Sequence, residues 1–300
     1  MVFAICAAIR ALTEEGDAVL IQQPVYYPFS ESVHANGRRL VVSELVYSDG
    51  KYSVDLKDFE DKIKSEKVKL FILCSPHNPV GRVWRIDELS AMGEICLRYG
   101  VKVVSDEIHA DFVYPGNRHQ VFAAISPELA EITVTCTAPT KTFNLAGLQI
   151  SNILISDPAL RSRFRQEIRK TGYSQPNIMG LVACRAAYEY GAGWLDELMA
   201  YLGSNLDFVR DFLAREIPQV QLVEPEGTYL VWLDFRALGL TDRELDDLIV
   251  NKAKLWLDAG TMFGASGTGF QRINIACPRS ILERALRQLK DALDSIGAAR

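Results

Sequence analysis

Three apolar runs, each breaking into polar residues at its end, constrain this chain more than any other feature. "KLFILCSPHNPVG" (69–81) runs into an Asn-Pro turn. "VKVVSDEIHADFVY" (101–114) turns polar at Ser105 and Asp106, and "EITVTCTAPTKTFN" (131–144) breaks into a loop carrying Lys141. Strands that are apolar along nearly their whole length are buried on both faces, as in a parallel sheet covered by helices. Between the first two runs, "IDELSAMGEICLRYG" reads as a helix with Leu89, Met92 and Cys96 inward and Gly100 just past its end. "DLKDFEDKIKSEK" places Leu56, Phe59 and Ile63 at helical spacing, and "AVLIQQPVYYPF" and "RLVVSELVY" read as further strands. This alternation predicts an α/β fold, a three-layer sandwich around a mostly parallel, mixed central sheet. Ligands of such sheets bind beyond the carboxyl ends of the strands. Asn78, Asp106 and Lys141 are therefore expected at one edge.

A chain of 300 residues exceeds what one core comfortably supports. From "GWLDELMAYLGSNLDFVRDFLAREIP" onward the texture changes to a long helix with Leu195, Leu198, Leu202, Leu206 and Val209 in step. Short strands, a helix, the glycine-rich "FGASGTGF", the strand "QRINIA" and a last helix follow. We expect a large α/β domain over 1–195 and a smaller α+β domain over 196–300. The net charge of -5 argues against nucleic-acid or anionic-membrane surfaces, so small molecules are the expected partners. Six widely spaced cysteines without a C-x-x-C pair read as reduced core residues of a cytoplasmic protein. The apolar start is interrupted by Arg10 and has no basic lead-in, unlike an export signal, and no run is long enough to span a membrane. Trp84, Trp194, Trp232 and Trp256 are scattered and read as packing residues. "GASGTG" lacks the lysine of a phosphate loop and reads as a turn near the substrate carboxylate.

A lysine becomes a useful nucleophile toward carbonyls when a cleft and a nearby cation make it lose its proton easily. Facing an aspartate and an asparagine, Lys141 points to a carbonyl-bearing cofactor. Pyridoxal 5'-phosphate fits best, because it needs one lysine, one carboxylate for its ring nitrogen, and hydroxyls or amides for its phosphate. Asp106 would keep the ring nitrogen protonated, Asn78 could donate to the phenolic oxygen, and Tyr26 could cover the ring face. Asp106, Glu107, His109 and Asp111 also resemble metal ligands. On an extended segment, however, Asp106 would point opposite to the other three.

"SPHNPVGRVW", "VVSDEIHADF", "TAPTKTFNLAGLQ" and "QRINIACPRS", in this order, resemble the fold-type I pyridoxal-phosphate enzymes, the class I and II aminotransferases. Within them the chain looks most like the cystathionine β-lyase, or cysteine-S-conjugate β-lyase, branch, and the resemblance covers essentially its whole length. The resemblance implies that Lys141 is the Schiff-base lysine and α-proton shuttle, Asp106 the ring-nitrogen partner, Asn78 the phenolic-oxygen donor and Tyr26 the stacking aromatic. It also implies that His109 lies beneath the cofactor and that Arg272 clamps the substrate α-carboxylate. Many relatives carry a serine where this chain has Ala138, which leaves Thr137 and Thr140 as the phosphate hydroxyls. Relatives also carry a segment ahead of the first helix that supplies a phosphate-binding turn. Here that cradle is expected to be reduced to Met1 and Val2, with weakened cofactor binding. The implied reaction is β-elimination from a small amino-acid substrate, with transamination and an inactive or regulatory relative as alternatives. The implied assembly is a homodimer.

Overall fold

The computed structural model describes residues 1–173 and 175–297. Seven strands form the main sheet: β1 (Ala18–Gln23), β2 (Arg39–Ser48), β3 (Lys51–Val54), β4 (Leu70–Cys74), β5 (Lys102–Asp106), β6 (Thr133–Thr137) and β7 (Asn152–Ile155). Their order is β3-β2-β1-β4-β5-β6-β7. The five inner strands are parallel, and both edge strands, β3 and β7, run antiparallel to their neighbours. Strand order reverses between β1 and β4, which opens a crevice beyond their carboxyl ends.

The two-residue period of the strands divides the core. Leu20, Phe71, Leu73 and Val103 pack on one face with Phe59 and Ile63 of α3 (Leu56–Ser65), Leu89, Met92 and Cys96 of α4 (Ile86–Tyr99), and Leu129 of α5 (Pro127–Ile132). Val19, Ile21, Leu70, Ile72 and Val104 pack on the other, against α1 (Val2–Leu12), α2 (Pro28–Ala35) and α7 (Pro158–Lys170). Between β6 and α7 lies the single turn α6 (Pro139–Thr142). This is the expected three-layer sandwich. Leu56, the first helical residue of α3, is 38% exposed, and the inward face begins one turn later, at Phe59. Gly100 caps α4 in the left-handed conformation, φ 68°.

After α8 (Ile178–Tyr190), the long helix α9 (Ala192–Glu216) contributes Leu202, Leu206, Val209, Phe212 and Leu213 to another core. That core covers an antiparallel sheet of order β10-β11-β9-β8, built from β8 (Gln221–Val223), β9 (Leu230–Asp234), β10 (Asp258–Ala259) and β11 (Phe270–Asn274). The short helix α10 (Asp242–Asp246) and the final helix α11 (Arg279–Gly297) complete it. Phe112 and Tyr114 join this core from the segment after β5, and the backbones of Val113 and Gly227 form a bridge.

The tryptophan expectation holds for Trp84 and Trp232, both fully buried, and for Trp194, which is 48% exposed but packs on Phe143 at 5.7 Å, but not for Trp256 (89% exposed). All six cysteines are free, with Cys74, Cys96 and Cys136 buried. No helix among the described residues is long and apolar enough to cross a membrane.

The glycine-rich stretch ties the two sheets together. Gly260 and Gly267 pack backbone to backbone, and a Cβ on Gly260 would stand 1.9 Å from the Gly267 carbonyl oxygen. The carbonyl of Phe263, between them, accepts the Val25 amide just beyond β1 at 3.0 Å. Gly260→Ala is therefore expected to destabilise the chain by about 3 kcal/mol, read from denaturant unfolding, because two backbones would have to separate. An effect under about 0.5 kcal/mol would contradict this close-packing account.

Candidate active site

β5 delivers Asp106 to the sheet edge in register with Cys74 of β4 on one side and Cys136 of β6 on the other. Its carboxyl is buried between apolar neighbours. Among the described residues its one hydrogen-bond donor is the Ile108 amide, 3.2 Å from Oδ1. Burial pushes the Asp106 pKa up to about 7, against the Ile108 amide and the positive charges of the amino terminus and Lys141. A carboxyl so poorly solvated ionises readily only with a cation held against it.

The chain leaves the strand immediately after Asp106 and turns through residues 108–111. The segment is therefore not extended beyond Asp106, contrary to expectation. The acidic and histidine side chains disperse to separate partners. Glu107, fully buried, accepts from Ser105 Oγ (2.8 Å), His119 Nε2 (2.8 Å) and the Phe122 amide (3.1 Å). Asp111 accepts from the Thr142 hydroxyl at 2.6 Å, which ties this turn to the Lys141 helix. His109 packs against Phe112 and Tyr229, and its Nδ1 has no hydrogen-bond partner among the described residues. Burial, with Lys141 and Arg272 nearby, lowers its pKa to about 3, so the ring is neutral.

Lys141 rides on α6, which Pro139 initiates directly after β6. It is half-buried, and its amine makes no hydrogen bond or ion pair among the described residues. Burial lowers its pKa first and Arg272 second, while Asp106 acts in the opposite direction. These are the two conditions that turn a lysine into a nucleophile.

Asn78 follows β4 and Tyr26 follows β1, so the two flank the crevice where strand order reverses. The Tyr26 amide donates to the Asn78 carbonyl at 3.1 Å. Burial, first among several causes, raises the Tyr26 pKa, which keeps the phenol neutral. Asn78 Oδ1 accepts from Arg272 Nη1 at 2.8 Å, which leaves its Nδ2 amide to donate elsewhere. Arg272, on β11 of the second sheet, lies over the Phe263 ring at 4.8 Å and bonds to Asp258 through both Nε and Nη2.

Thr140 and Tyr26 line a cavity of about 550 Å³ together with Met1, Val2 and Phe3 at the start of α1, and Gln149 and Tyr173. A helix start beside a hydroxyl is suited to an anion. Thr137, the other expected hydroxyl, is not part of that wall. It lies opposite Asn152 on β7, and its side chain interacts with Tyr188.

Sequence reasoning missed Asp258, Phe263 and Tyr229. Asp258 lies in a two-residue strand, too short for any periodicity, and its pairing with Arg272 exists only in the β10–β11 register. Phe263 and Tyr229 look like ordinary apolar residues until the second sheet folds back over the first.

Known proteins share the scaffold that carries these residues. The family "Aminotransferase class I and II" matches residues 3–289. The chain is 45% identical over 293 residues to cystathionine β-lyase PatB of Bacillus subtilis, covering 98% of this chain and 76% of that one. Cystalysin from Treponema denticola, whose structure contains pyridoxal 5'-phosphate, superimposes with a TM-score of 0.96 at 40% identity, covering 98% of this chain and 75% of cystalysin. A pyridoxal-phosphate-bound putative aminotransferase from Clostridium difficile gives 0.95 at 46% identity, covering 97% and 75% of the two chains. With its mixed sheet, its flanking helices and this match across nearly its whole length, the chain belongs to the class I and II aminotransferase family.

Proposed function

We propose that the chain is a pyridoxal-phosphate-dependent carbon–sulfur β-lyase that acts on cystathionine or cysteine S-conjugates. The observation that carries this reading is the pairing, at one sheet edge, of a buried carboxyl with a half-buried amine, neither of which makes an ion pair among the described residues. The residues fit the cofactor. Asp106 would hold a protonated ring nitrogen, Lys141 the aldehyde carbon, Asn78 Nδ2 the phenolic oxygen, and Thr140 with the α1 amides the phosphate. Thr137 is a weaker phosphate candidate, facing Tyr188 instead. Tyr26 would cover the ring, and His109, neutral and buried, would support the Asp106 segment. When bound, pyridoxal phosphate supplies an electron sink that makes the substrate's α-proton acidic.

The chain's own groups do the rest. Arg272 holds the α-carboxylate and so fixes which bond at the α-carbon faces Lys141. Lys141 takes the α-proton at Nζ. As the Cβ–S bond breaks, Lys141 can return that proton to sulfur, so the leaving group departs as a thiol. One water then converts the remaining three-carbon fragment to pyruvate and ammonia. Transamination would use the same residues, and the similarity to PatB favours elimination.

Incubating the cofactor-loaded protein with cystathionine and no keto acid is expected to release pyruvate and thiol in equal amounts. Turnover that requires a keto-acid acceptor and yields no pyruvate would identify an aminotransferase. The reading includes a cytoplasmic homodimer. The support for the dimer is the exposed apolar face of α8, where Ile178, Met179 and Val182 are 72%, 62% and 59% exposed. Sedimentation is expected to give twice the chain mass, and Val182→Glu to shift it toward monomer. A monomeric parent chain would contradict the assembly.

A further inference from the structure

We infer that Asp258 is a positioning residue that fixes the guanidinium of Arg272 so that an incoming carboxylate is received end-on. The inference deepens the reading above and rests on Arg272 as the α-carboxylate clamp.

A guanidinium carries five N–H groups in a rigid fork. Nε and Nη2 of Arg272 both donate to Asp258 Oδ2, the Nε bond at 3.1 Å, and Nη1 donates to Asn78 Oδ1 at 2.8 Å. Three of the five are thus committed, and one N–H remains on each terminal nitrogen. Two N–H groups on adjacent terminal nitrogens are the pair a carboxylate takes in bidentate fashion. The Phe263 ring, 4.8 Å beneath, sets the plane of the fork. Asp258 lies directly across the β10–β11 register from Arg272, so the hairpin itself maintains the contact. The Arg272 side chain is only 11% exposed while that of Asp258 is 37% exposed, so the acid lies on the solvent side of the fork. Without Asp258, the Nε edge would become a competing docking edge, and the substrate would bind in more than one orientation.

The test uses Asp258→Ala and Asp258→Asn in the full chain, the second retaining an acceptor oxygen. In protein labelled with ¹⁵N-arginine and without added cofactor, the Arg272 Nε–H signal is identified by its loss in Arg272→Lys. It is expected to exchange with water at least about tenfold faster in Asp258→Ala than in the parent, and to remain protected in Asp258→Asn. In the loaded enzyme, Asp258→Ala is expected to raise KM for cystathionine about tenfold with kcat within about threefold, and Asp258→Asn to recover most of the loss. Unchanged exchange in Asp258→Ala would overturn the inference. So would a KM that stays the same or falls, or a loss of kcat that follows a lowered melting temperature. If the parent turns over no sulfur amino acid, the lyase reading fails, and the exchange measurement still decides the role of Asp258.

Discussion

Replacing Lys141 by alanine is expected to lower kcat for cystathionine cleavage by about 10⁴-fold or more, because covalent tethering and proton transfer are lost in one change. The amine is suited to both tasks for the same reason: half-buried and facing Arg272, it gives up its proton more easily than a surface lysine. Added methylamine is expected to restore part of the rate, since it can supply a base to the vacated space. Steady-state pyruvate assays with and without methylamine check this. A variant that keeps more than about a tenth of the parent rate would show that another group removes the α-proton, since a general base is worth at least a hundredfold.

Asp106→Asn is expected to move stability and function in opposite directions. A carboxyl whose pKa lies near 7 in the folded chain, against its usual 3.8, binds a proton that the unfolded chain has already released. Well below pH 3.8 both states are protonated and the group is neutral to stability. As pH rises from 4 to 7 the unfolded state ionises first and stability falls, with the full cost of about 4 kcal/mol present above 7. Without cofactor, Asp106→Asn should therefore be more stable than the parent by about 2–4 kcal/mol at pH 8.5, narrowing to about 1 kcal/mol at pH 4.5. Denaturant unfolding at the two pH values checks this, and a gap independent of pH would contradict it. The same substitution removes the anion that would face a protonated ring nitrogen, so the dissociation constant for pyridoxal phosphate should rise at least about a hundredfold.

The sheet was legible in the sequence because β4, β5 and β6 are covered on both faces and so are written as unbroken apolar runs. The same fact made Asn78, Asp106 and Lys141 legible, since each is among the first polar residues after an apolar run ends. Legibility stopped where structure depends on contacts distant in sequence. The turn after Asp106 is set by Glu107 reaching Phe122 and His119, so strand alternation gave the wrong geometry for residues 107–111. Exposure of Trp194 and Trp256 could not be read from residue type, which records what packs well and not what lies opposite. Asp258 was invisible because a two-residue strand has no pattern, yet it makes the closest ionic contact to the proposed substrate clamp.

The most direct measurement is to mix the chain with pyridoxal phosphate, reduce with borohydride, and map the attached pyridoxyl group by peptide mass analysis. One pyridoxyl group per chain on Lys141, absent from Lys141→Ala, is the expected result. Attachment at another lysine, or none at saturating cofactor, would contradict the assignment of this edge as a cofactor site.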